Sequence, residues 1–199
     1  FALTNNMPYR FHVLLWGSQQ PAWLTGLSDE EQIDEILEWF KGVSEHFSGP
    51  NTLEYVEVVN EALNQPPIYA PALTSLNTTL GTTPGPYDWV VNAFKLARSY
   101  FPAETKLMIN EYRIENESAF TNNYANIIAL LKADNLVDVV GMQGHTFSTK
   151  RYGSGPFENV TANLAANLQT IADQCLPIMI TEFDIEGNSY LNMSGQAIV

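Results

Sequence analysis

The sequence predicts an α/β fold in which parallel strands alternate with helices, either a (β/α)8 barrel or an open doubly wound sheet. Short apolar runs rich in β-branched residues alternate with longer stretches whose apolar residues recur every three and four positions. This alternation favours a parallel sheet with right-handed crossovers, and units of roughly forty residues fit both architectures. No GxGxxG or Walker loop follows a predicted strand, which counts against a nucleotide-binding open sheet.

Five segments have the composition of strands buried on both faces, because they are short and dominated by Val, Ile, Leu and Met. We predict strands at residues 11–16, 53–60, 106–112, 137–143 and 177–185. Five strands are fewer than the eight of a closed barrel. The sequence therefore predicts an incomplete barrel if the barrel is the correct architecture.

Four segments between these strands have the spacing of amphipathic helices. Ser28 with Glu31 forms a capping-box pattern that opens the first helix. The predicted helices span residues 29–47, 87–100, 117–134 and 158–174, and residues 196–199 read as the start of a fifth. Residues 64–86 are rich in Pro, Thr and Gly, and we interpret them as a long loop at the carboxyl end of the second strand. Such loops often build binding sites. No linker interrupts the chain, so we treat residues 1–199 as one domain.

Composition and charge exclude several classes of partner. The 22 acidic and 9 basic residues give a net charge of −13, which is unsuited to a nucleic acid backbone. No apolar run approaches the length of a membrane span. Cys175 is the only cysteine and no Cys/His cluster resembles a zinc site, so we expect no disulfide, no metal and no cofactor.

Polar residues stand where four consecutive predicted strands end. Glu61 follows the second strand and Glu182 lies late in the fifth, with Asn110, Glu111, Gln143 and His145 on the strands between them. Parallel strands bring their carboxyl ends to one edge, where barrels place their active sites. Two carboxylates across that opening suit glycoside hydrolysis, which needs one proton donor and one ionised carboxylate. The alternative interpretation is that each glutamate is a solvated charge at a strand end.

Several motifs resemble glycoside hydrolase family 10, the β-1,4-xylanases. They are FHVLLWGSQQPAW, EVVNEAL, MINEYRIEN, GMQGH and ITEFDI, in the order in which that family has them. The resemblance runs from the family's third strand to the start of its seventh helix, and it implies part of a (β/α)8 barrel. It implies a retaining endo-1,4-β-xylanase that hydrolyses internal bonds of xylan by double displacement, through a covalent glycosyl-enzyme intermediate.

The resemblance also assigns roles to the two carboxylates and their neighbours. In EVVNEAL, Glu61 matches the general acid/base, and Asn60 matches the amide that holds the sugar 2-hydroxyl beside the nucleophile. In ITEFDI, Glu182 matches the nucleophile. His145 matches a histidine that hydrogen-bonds this nucleophile, and Asp184 matches the carboxylate that orients the histidine.

Further positions match the family's sugar-binding residues. His12 and Trp16 match residues that line the sugar site just before the cleavage point, and Gln19 matches a ligand of the next sugar outward. Tyr112 matches an aromatic residue on the leaving-group side, and Gln143 matches a residue around the nucleophile. Without the resemblance, His12, Trp16 and Tyr112 read as ordinary packing residues.

Two positions depart from the family's pattern. Gly17 stands where many members have a second histidine, and we expect altered packing there and no loss of activity. Glu111 stands where the family more often has Asp, and we assign it no catalytic part. Nothing in the chain matches the family's first two strands or its eighth.

The missing strands leave two further hypotheses open. One is a non-catalytic xylan-binding fragment of such a barrel, and the other is a hydrolase of the same fold that acts on another β-glycan. The expected partners are xylan or xylo-oligosaccharides, and other segments or modules of a longer polypeptide. Residues 1–10 lack the features of a signal peptide. The expected location is outside the cell or on its surface, with the signal outside this chain.

Overall fold

The computed structural model describes residues 1–49, 53–76, 83–145, 148 and 157–184. Its five strands form one sheet in the order β1-β2-β3-β4-β5, and every neighbouring pair is parallel. Sheet order therefore equals chain order, as in a (β/α)8 barrel, whereas a doubly wound sheet reverses direction part-way. The fold is an incomplete (β/α)8 barrel. The strands are β1 (Arg10–Phe11), β2 (Tyr55–Asn60), β3 (Lys106–Glu111), β4 (Val139–Met142) and β5 (Ile178–Ile180).

Helices follow the strands and cover the outer face of the sheet. The four predicted helices are confirmed to within two residues at each end, and α1 begins with the expected capping box between Ser28 and Glu31. The helices are α1 (Asp29–His46), α2 (Ala70–Ser75), α3 (Asp88–Tyr100), α4 (Ser118–Ala133) and α5 (Phe157–Ala172). None of the helices in the described ranges is both long and apolar enough to cross a bilayer. The helix predicted at residues 196–199 lies outside the described residues.

The prediction that residues 64–86 form a loop throughout is wrong, because α2 lies within them. This helix has a proline in its first turn, where proline needs no donor, and it buries Ala72 and Leu73. Asn92 of α3 donates a hydrogen bond of 2.7 Å to the carbonyl of Leu73, which helps to hold the two helices together. Six residues are too few to produce a recognisable helical period. Tertiary contacts, rather than sequence pattern, specify this helix.

The first predicted strand, residues 11–16, is also wrong in its extent. Regular pairing covers only Arg10–Phe11, and Leu15 rejoins the sheet as an isolated bridge to Val59. Leu14 and Leu15 both donate to β2, to the carbonyls of Glu57 and Val58. In a regular parallel ladder only every second residue donates to a given neighbouring strand, so donation from two consecutive residues shows that the pairing here is irregular. The length of the apolar run therefore overestimates the length of the strand. The fifth strand is likewise shorter than residues 177–185, of which residue 185 is not described.

The outer face of the sheet and the helices form the hydrophobic core. Its largest fully buried side chains include Phe40 of α1, Phe94 of α3 and Tyr124 of α4. The Tyr124 hydroxyl lies between the carbonyls of Ile109 and Gly141, at 3.0 and 2.8 Å, and so links α4 to β3 and β4. Removal of these rings from water is the main force that holds the helices on the sheet.

The inner face of the sheet is polar and strongly curved. Arg10 of β1 binds the carboxylate of Glu57 on β2, and it also donates to the carbonyl of Thr181, just after β5, at 3.4 Å. A side chain of the first strand therefore reaches the end of the last strand across the interior. The curvature brings residues that are far apart in the chain into one site.

Candidate active site

The polar strand-end residues form one layer at the carboxyl edge of the sheet. Glu61 directly follows β2, Asn110 and Glu111 end β3, Gln143 follows β4, and Glu182 follows β5 by one residue. The strands are parallel, so their ends meet on the same side, although the register of β2 against β3 shifts between Glu57 and Val59. Asn110 hydrogen-bonds both to Glu61, after β2, and to Glu182, after β5.

Glu61 is buried and has an unusual backbone conformation. Only 8% of the residue is exposed, and its φ of 56° lies in the left-handed region. Its N–H donates to the carbonyl of Asn110 at 2.9 Å, and its Oε1 accepts from Gln143 Nε2 at 2.9 Å. A second, longer hydrogen bond of 3.4 Å comes from Asn60 Nδ2. A residue other than glycine is strained at positive φ, so surrounding contacts must hold Glu61 in place.

Glu182 accepts hydrogen bonds at both carboxylate oxygens. Asn110 Nδ2 donates to Oε1 at 2.9 Å, and His145 Nε2 lies 3.2 Å from Oε2. The other ring nitrogen of His145 lies 2.5 Å from Asp184 Oδ2. Both ring nitrogens thus face carboxylate oxygens. The structure therefore brings the predicted trio of Glu182, His145 and Asp184 together.

Two amide residues each contact both glutamates. Asn110 accepts from the Glu61 backbone and donates to the Glu182 side chain. Gln143 donates to the Glu61 side chain and accepts, through its backbone carbonyl, from the Glu182 N–H at 2.9 Å. These shared partners fix the two carboxylates relative to each other, although 121 positions separate them in the chain.

Asn60 and Gln143 contact the Glu61 side of the site. The side chain of Gln143, which the resemblance assigns to the nucleophile's surroundings, reaches Glu61, and only its backbone reaches Glu182. Gln143 Nε2 also lies 3.2 Å from Asn60 Oδ1. Asn60 and Gln143 therefore form one amide network around the Glu61 carboxylate.

Sequence reasoning missed Glu57, which lies at the centre of the interior. Its residue exposure is 0%, and its carboxylate accepts from Arg10, from His12 Nδ1 at 3.1 Å and from Asn110 Nδ2 at 3.3 Å. The hydrogen bond to Glu57 is the main reason that the pKa of His12 is raised above its ordinary value. An acidic residue inside the apolar strand YVEVVN was the available signal, since a buried charge requires partners.

Three of these residues also form an arrangement with metal-ligand geometry. One ligand atom from each of His12, Glu57 and Glu182 lies within 4.8 Å of the others. The same side chains already bind the Arg10 guanidinium, Asn110 and His145. Positively charged and donor groups of the chain itself therefore compensate these carboxylates, and the expectation that the site needs no metal stays a prediction.

The predicted sugar-binding residues of the first motif lie along one cavity of about 680 Å³. His12, Trp16 and Gln19 line it, together with Trp23 and with residues of α1 that include Ile36 and Trp39, whereas Glu61 and Glu182 do not line it. The rings of His12 and Trp16 meet edge to face with centroids 5.8 Å apart. The Trp16 indole N–H is buried and has no hydrogen-bond partner among the described residues. The apolar rings that line the cavity suit a ligand with apolar faces.

Tyr112 lies apart from that cavity, and Gly17 lies where the chain has no room for a side chain. The Tyr112 N–H donates to Glu111 Oε1 at 2.9 Å, and its partly buried hydroxyl has a pKa raised mainly by burial. A Cβ on Gly17 would meet the carbonyl oxygens of Gln65 and Pro66 at 2.5 and 2.6 Å. The loop after Glu61 therefore packs closely against the backbone at Gly17.

Comparison with known proteins identifies relatives along nearly the whole chain. The profile described as Glycosyl hydrolase family 10 matches residues 1–197. Endo-1,4-beta-xylanase B of Cellvibrio japonicus is 32% identical over 193 residues, which cover 93% of this chain and 27% of that protein. Endo-1,4-beta-xylanase 2 of Aureobasidium pullulans is 31% identical over 190 residues, which cover 93% of this chain and 50% of that protein. The chain thus spans half or less of the length of these two relatives.

Solved structures share the fold. The CBM22-1-GH10 modules of Clostridium thermocellum xylanase 10B, solved in complex with xylohexaose, superpose with a TM-score of 0.69 at 25% sequence identity. The match covers 94% of this chain and 39% of that one. The barrel architecture inferred from strand order is therefore also the architecture of solved proteins with similar sequences.

Proposed function

Because the chain belongs to glycosyl hydrolase family 10, as its match over residues 1–197 shows, we propose that it carries the catalytic face of a retaining endo-1,4-β-xylanase. The proposed substrates are xylan and xylo-oligosaccharides, and residues 1–199 are one partial catalytic domain. One observation supports this most strongly. Two carboxylates from the ends of β2 and β5, Glu61 and Glu182, are both bound by Asn110 and Gln143.

In the proposed first step, the ionised carboxylate of Glu182 attacks the anomeric carbon of a xylose unit. The bond from that carbon to the leaving oxygen breaks, and Glu61 transfers its proton to this oxygen. The product is an ester between the sugar and Glu182, together with a shortened chain that has a new hydroxyl group. Direct attack of this kind requires the two carboxyl groups to lie about 5–5.5 Å apart.

In the second step, water replaces the departed chain. Glu61, now ionised, removes a proton from this water, whose oxygen attacks the anomeric carbon while the bond to Glu182 breaks. Two inversions give net retention, and Glu61 is again protonated and Glu182 again ionised. The donors on Glu182, from Asn110 and His145, support its role as an ionised nucleophile and a leaving group.

The surrounding residues suit binding of the sugar chain on both sides of the cleaved bond. We assign His12, Trp16 and Gln19 to the sugars before this bond on the resemblance of their motif, and for His12 the contact with Glu57 in the interior of the sheet adds support. Asn60 is assigned to the 2-hydroxyl, where a hydrogen bond that strengthens in the transition state accelerates the reaction. Tyr112 is assigned to the leaving-group side, and Asp184 is assigned to orient His145, which it contacts.

We propose that the protein acts outside the cell or on its surface, because a polymeric substrate of this kind is met there. The catalytic unit requires the rest of a barrel, so other segments or modules of a longer polypeptide are the proposed partners. The C. thermocellum relative, in which a GH10 module is joined to another module, offers one example of this organisation.

The test uses the protein at its full natural length, with Glu61→Gln and Glu182→Gln compared with Glu104→Gln. Glu104 is exposed and lies in the turn before β3, so its variant controls for the loss of one negative charge. We expect each of the first two variants to lose most of the rate on xylan and the control to keep it. NMR of the first products should show new reducing ends in the β configuration.

Three outcomes would contradict the proposal. Full activity in Glu61→Gln or Glu182→Gln would remove the assigned roles. Binding of xylohexaose without any hydrolysis by the parent protein would favour a non-catalytic binding protein. Faster hydrolysis of a mixed-linkage glucan than of xylan would assign the same chemistry to another β-glycan.

A further inference from the structure

We propose that Glu111 is a positioning residue that holds the loop carrying Glu61 and thereby fixes where Glu61 delivers its proton. This inference rests on the proposed function of Glu61 as the proton donor. Glu111 ends β3, the strand next to the one that Glu61 follows. It has been assigned no part in the chemistry above, yet its side chain is completely buried beside the site.

The carboxylate of Glu111 crosses from β3 to bind the loop just after Glu61. Its Oε2 accepts from the Leu63 N–H at 2.8 Å, two residues after Glu61. Its Oε1 accepts from Asn64 Nδ2 at 2.8 Å, and from the Tyr112 N–H at 2.9 Å. One side chain therefore ties together the loop after β2 and the end of β3.

Glu61 needs such support because its backbone is strained. Its φ of 56° is unfavourable for a residue with a side chain, and contacts before and after it must maintain that conformation. Before Glu61, the sheet supplies them through Asn60 and through the Glu61 N–H bond to Asn110. After Glu61, Glu111 supplies them at Leu63 and Asn64. A shift of the loop would move the Glu61 carboxyl away from the leaving oxygen.

The support extends beyond the loop to α4. Asn64 Oδ1 accepts from Arg113 Nη1 at 3.2 Å, and Arg113 Nε donates to Glu117 at 2.8 Å. The Arg113 guanidinium also lies 4.5 Å from the centre of the Phe120 ring. Asn64 is therefore held on both sides, by Glu111 through its amide nitrogen and by Arg113 through its oxygen.

The three contacts require a carboxylate in particular. All three partners of Glu111 are N–H donors, and only a carboxylate offers acceptors at both of its oxygens. Glutamine has nearly the same shape, but its NH₂ group would face one of these N–H donors. Burial of an acid is unfavourable and raises the pKa of Glu111 to about 7, so packing alone does not account for an acid here.

The experiment is run at a pH above about 7, where Glu111 is ionised and offers acceptors to all three donors. It compares Glu111→Gln with the parent protein on aryl xylobiosides whose phenols differ in acidity, with kcat/KM as the readout. This ratio reports the step in which the phenol leaves. Poorly acidic phenols need the proton of Glu61, whereas 2,4-dinitrophenol leaves without it. We expect kcat/KM to fall at least about 10-fold on the poor leaving groups, and to change less than about 3-fold on the dinitrophenyl substrate.

Two further variants keep the inference testable. Asn64→Ala removes a partner of Glu111 while leaving the buried acid in place, and we expect the same dependence on the leaving group with a smaller loss. Glu104→Gln, on the surface, should change neither rate. Equal losses on all substrates in both Glu111→Gln and Asn64→Ala, or no loss in either, would overturn the inference.

The proposed function itself is tested separately by Glu61→Ala in the same series. If Glu61→Ala shows no dependence on the leaving group, the role of Glu61 as proton donor fails. If Glu61→Ala shows the dependence and neither Glu111→Gln nor Asn64→Ala does, only the inference about Glu111 fails.

Discussion

His145 lies between two carboxylates and connects the surface of the site to the proposed nucleophile. Asp184 is exposed, Glu182 is partly buried, and the two ring nitrogens of His145 face one oxygen of each. Contacts with both carboxylates hold the ring in one orientation. Asp184 therefore acts on the reaction only through the donor that His145 presents to Glu182.

Replacement of this outer carboxylate should weaken the nucleophile without removing it. We predict that Asp184→Asn lowers kcat/KM on xylo-oligosaccharides by about 10- to 100-fold, because the ring loses a charged hydrogen-bond partner. Steady-state kinetics and the pH profile check this prediction. Asp173→Asn is the control, since the exposed Asp173 side chain accepts from Gln169, just after α5 and away from the site. Identical kinetics in Asp184→Asn and Asp173→Asn would contradict it.

The sequence predicted the place of some residues in the site but not of others. Glu61, Gln143 and Glu182 stand at strand ends, so the rule that parallel strands share a carboxyl edge was enough to bring them together. Glu57 and Arg10 were missed because their side chains face the interior from within strands. They are partners of each other across 47 positions of the chain, and only the folded arrangement of the strands reveals this contact. The contact of Glu111 with Leu63 and Asn64 was missed because it depends on the path of an irregular loop.

At the scale of elements, α1 shows how a local signal fixes a boundary. Ser28 Oγ accepts from the Glu31 N–H at 3.3 Å, and Glu31 Oε2 accepts from the Ser28 N–H at 2.8 Å. These reciprocal bonds satisfy backbone donors that the first helical turn leaves free. Because every participant lies within four residues, the sequence alone was sufficient to locate this helix start.

Loss of the cap should destabilise the protein measurably. We predict that Ser28→Ala lowers the free energy of unfolding by about 1 kcal/mol. Urea denaturation followed by circular dichroism measures the change. Ser44→Ala in the same helix is the matched control, because Ser44 Oγ donates to the Lys41 carbonyl on an exposed turn within the helix and takes no part in the cap. Equal midpoints for Ser28→Ala and the parent protein would show that the capping box contributes nothing.

Elements that depend on distant contacts were predicted less well. The helix α2 is short, and its Leu73 carbonyl is bonded by Asn92, which comes 19 residues later. The first strand ends early because Leu14 and Leu15 both donate to β2. The segment of α2 was predicted as loop and the first strand was predicted too long, because pairing and packing with distant residues decided both boundaries.

At the scale of the whole molecule, the curved sheet encloses acids that are costly to ionise. Burial raises the pKa of Glu111 to about 7 from an ordinary value of 4.5, and it also raises the pKa of Glu115. An acid with a raised pKa in the folded state binds its proton more tightly there than in the unfolded chain. The stability that it contributes is present below its unfolded pKa and is lost as pH rises through its folded pKa.

The protein should therefore become less stable between pH 4.5 and pH 7. We predict that Glu111 alone removes on the order of 3 kcal/mol from the free energy of unfolding over this range. His12, whose pKa is raised mainly by Glu57, adds a loss in the same direction above about pH 6.5. Urea midpoints at several pH values check this, and Glu111→Gln should give a flatter profile. Equal slopes for the two proteins would contradict the prediction.

The proposed reaction passes through an ester on one named residue, and trapping that ester tests it most directly. The protein at its full natural length is incubated with 2,4-dinitrophenyl 2-deoxy-2-fluoro-β-xylobioside, and the labelled peptide is identified by mass spectrometry. We predict one fluoroxylobiosyl group per chain, on Glu182. Label on any other residue, or no label in a protein that hydrolyses xylan, would contradict the account.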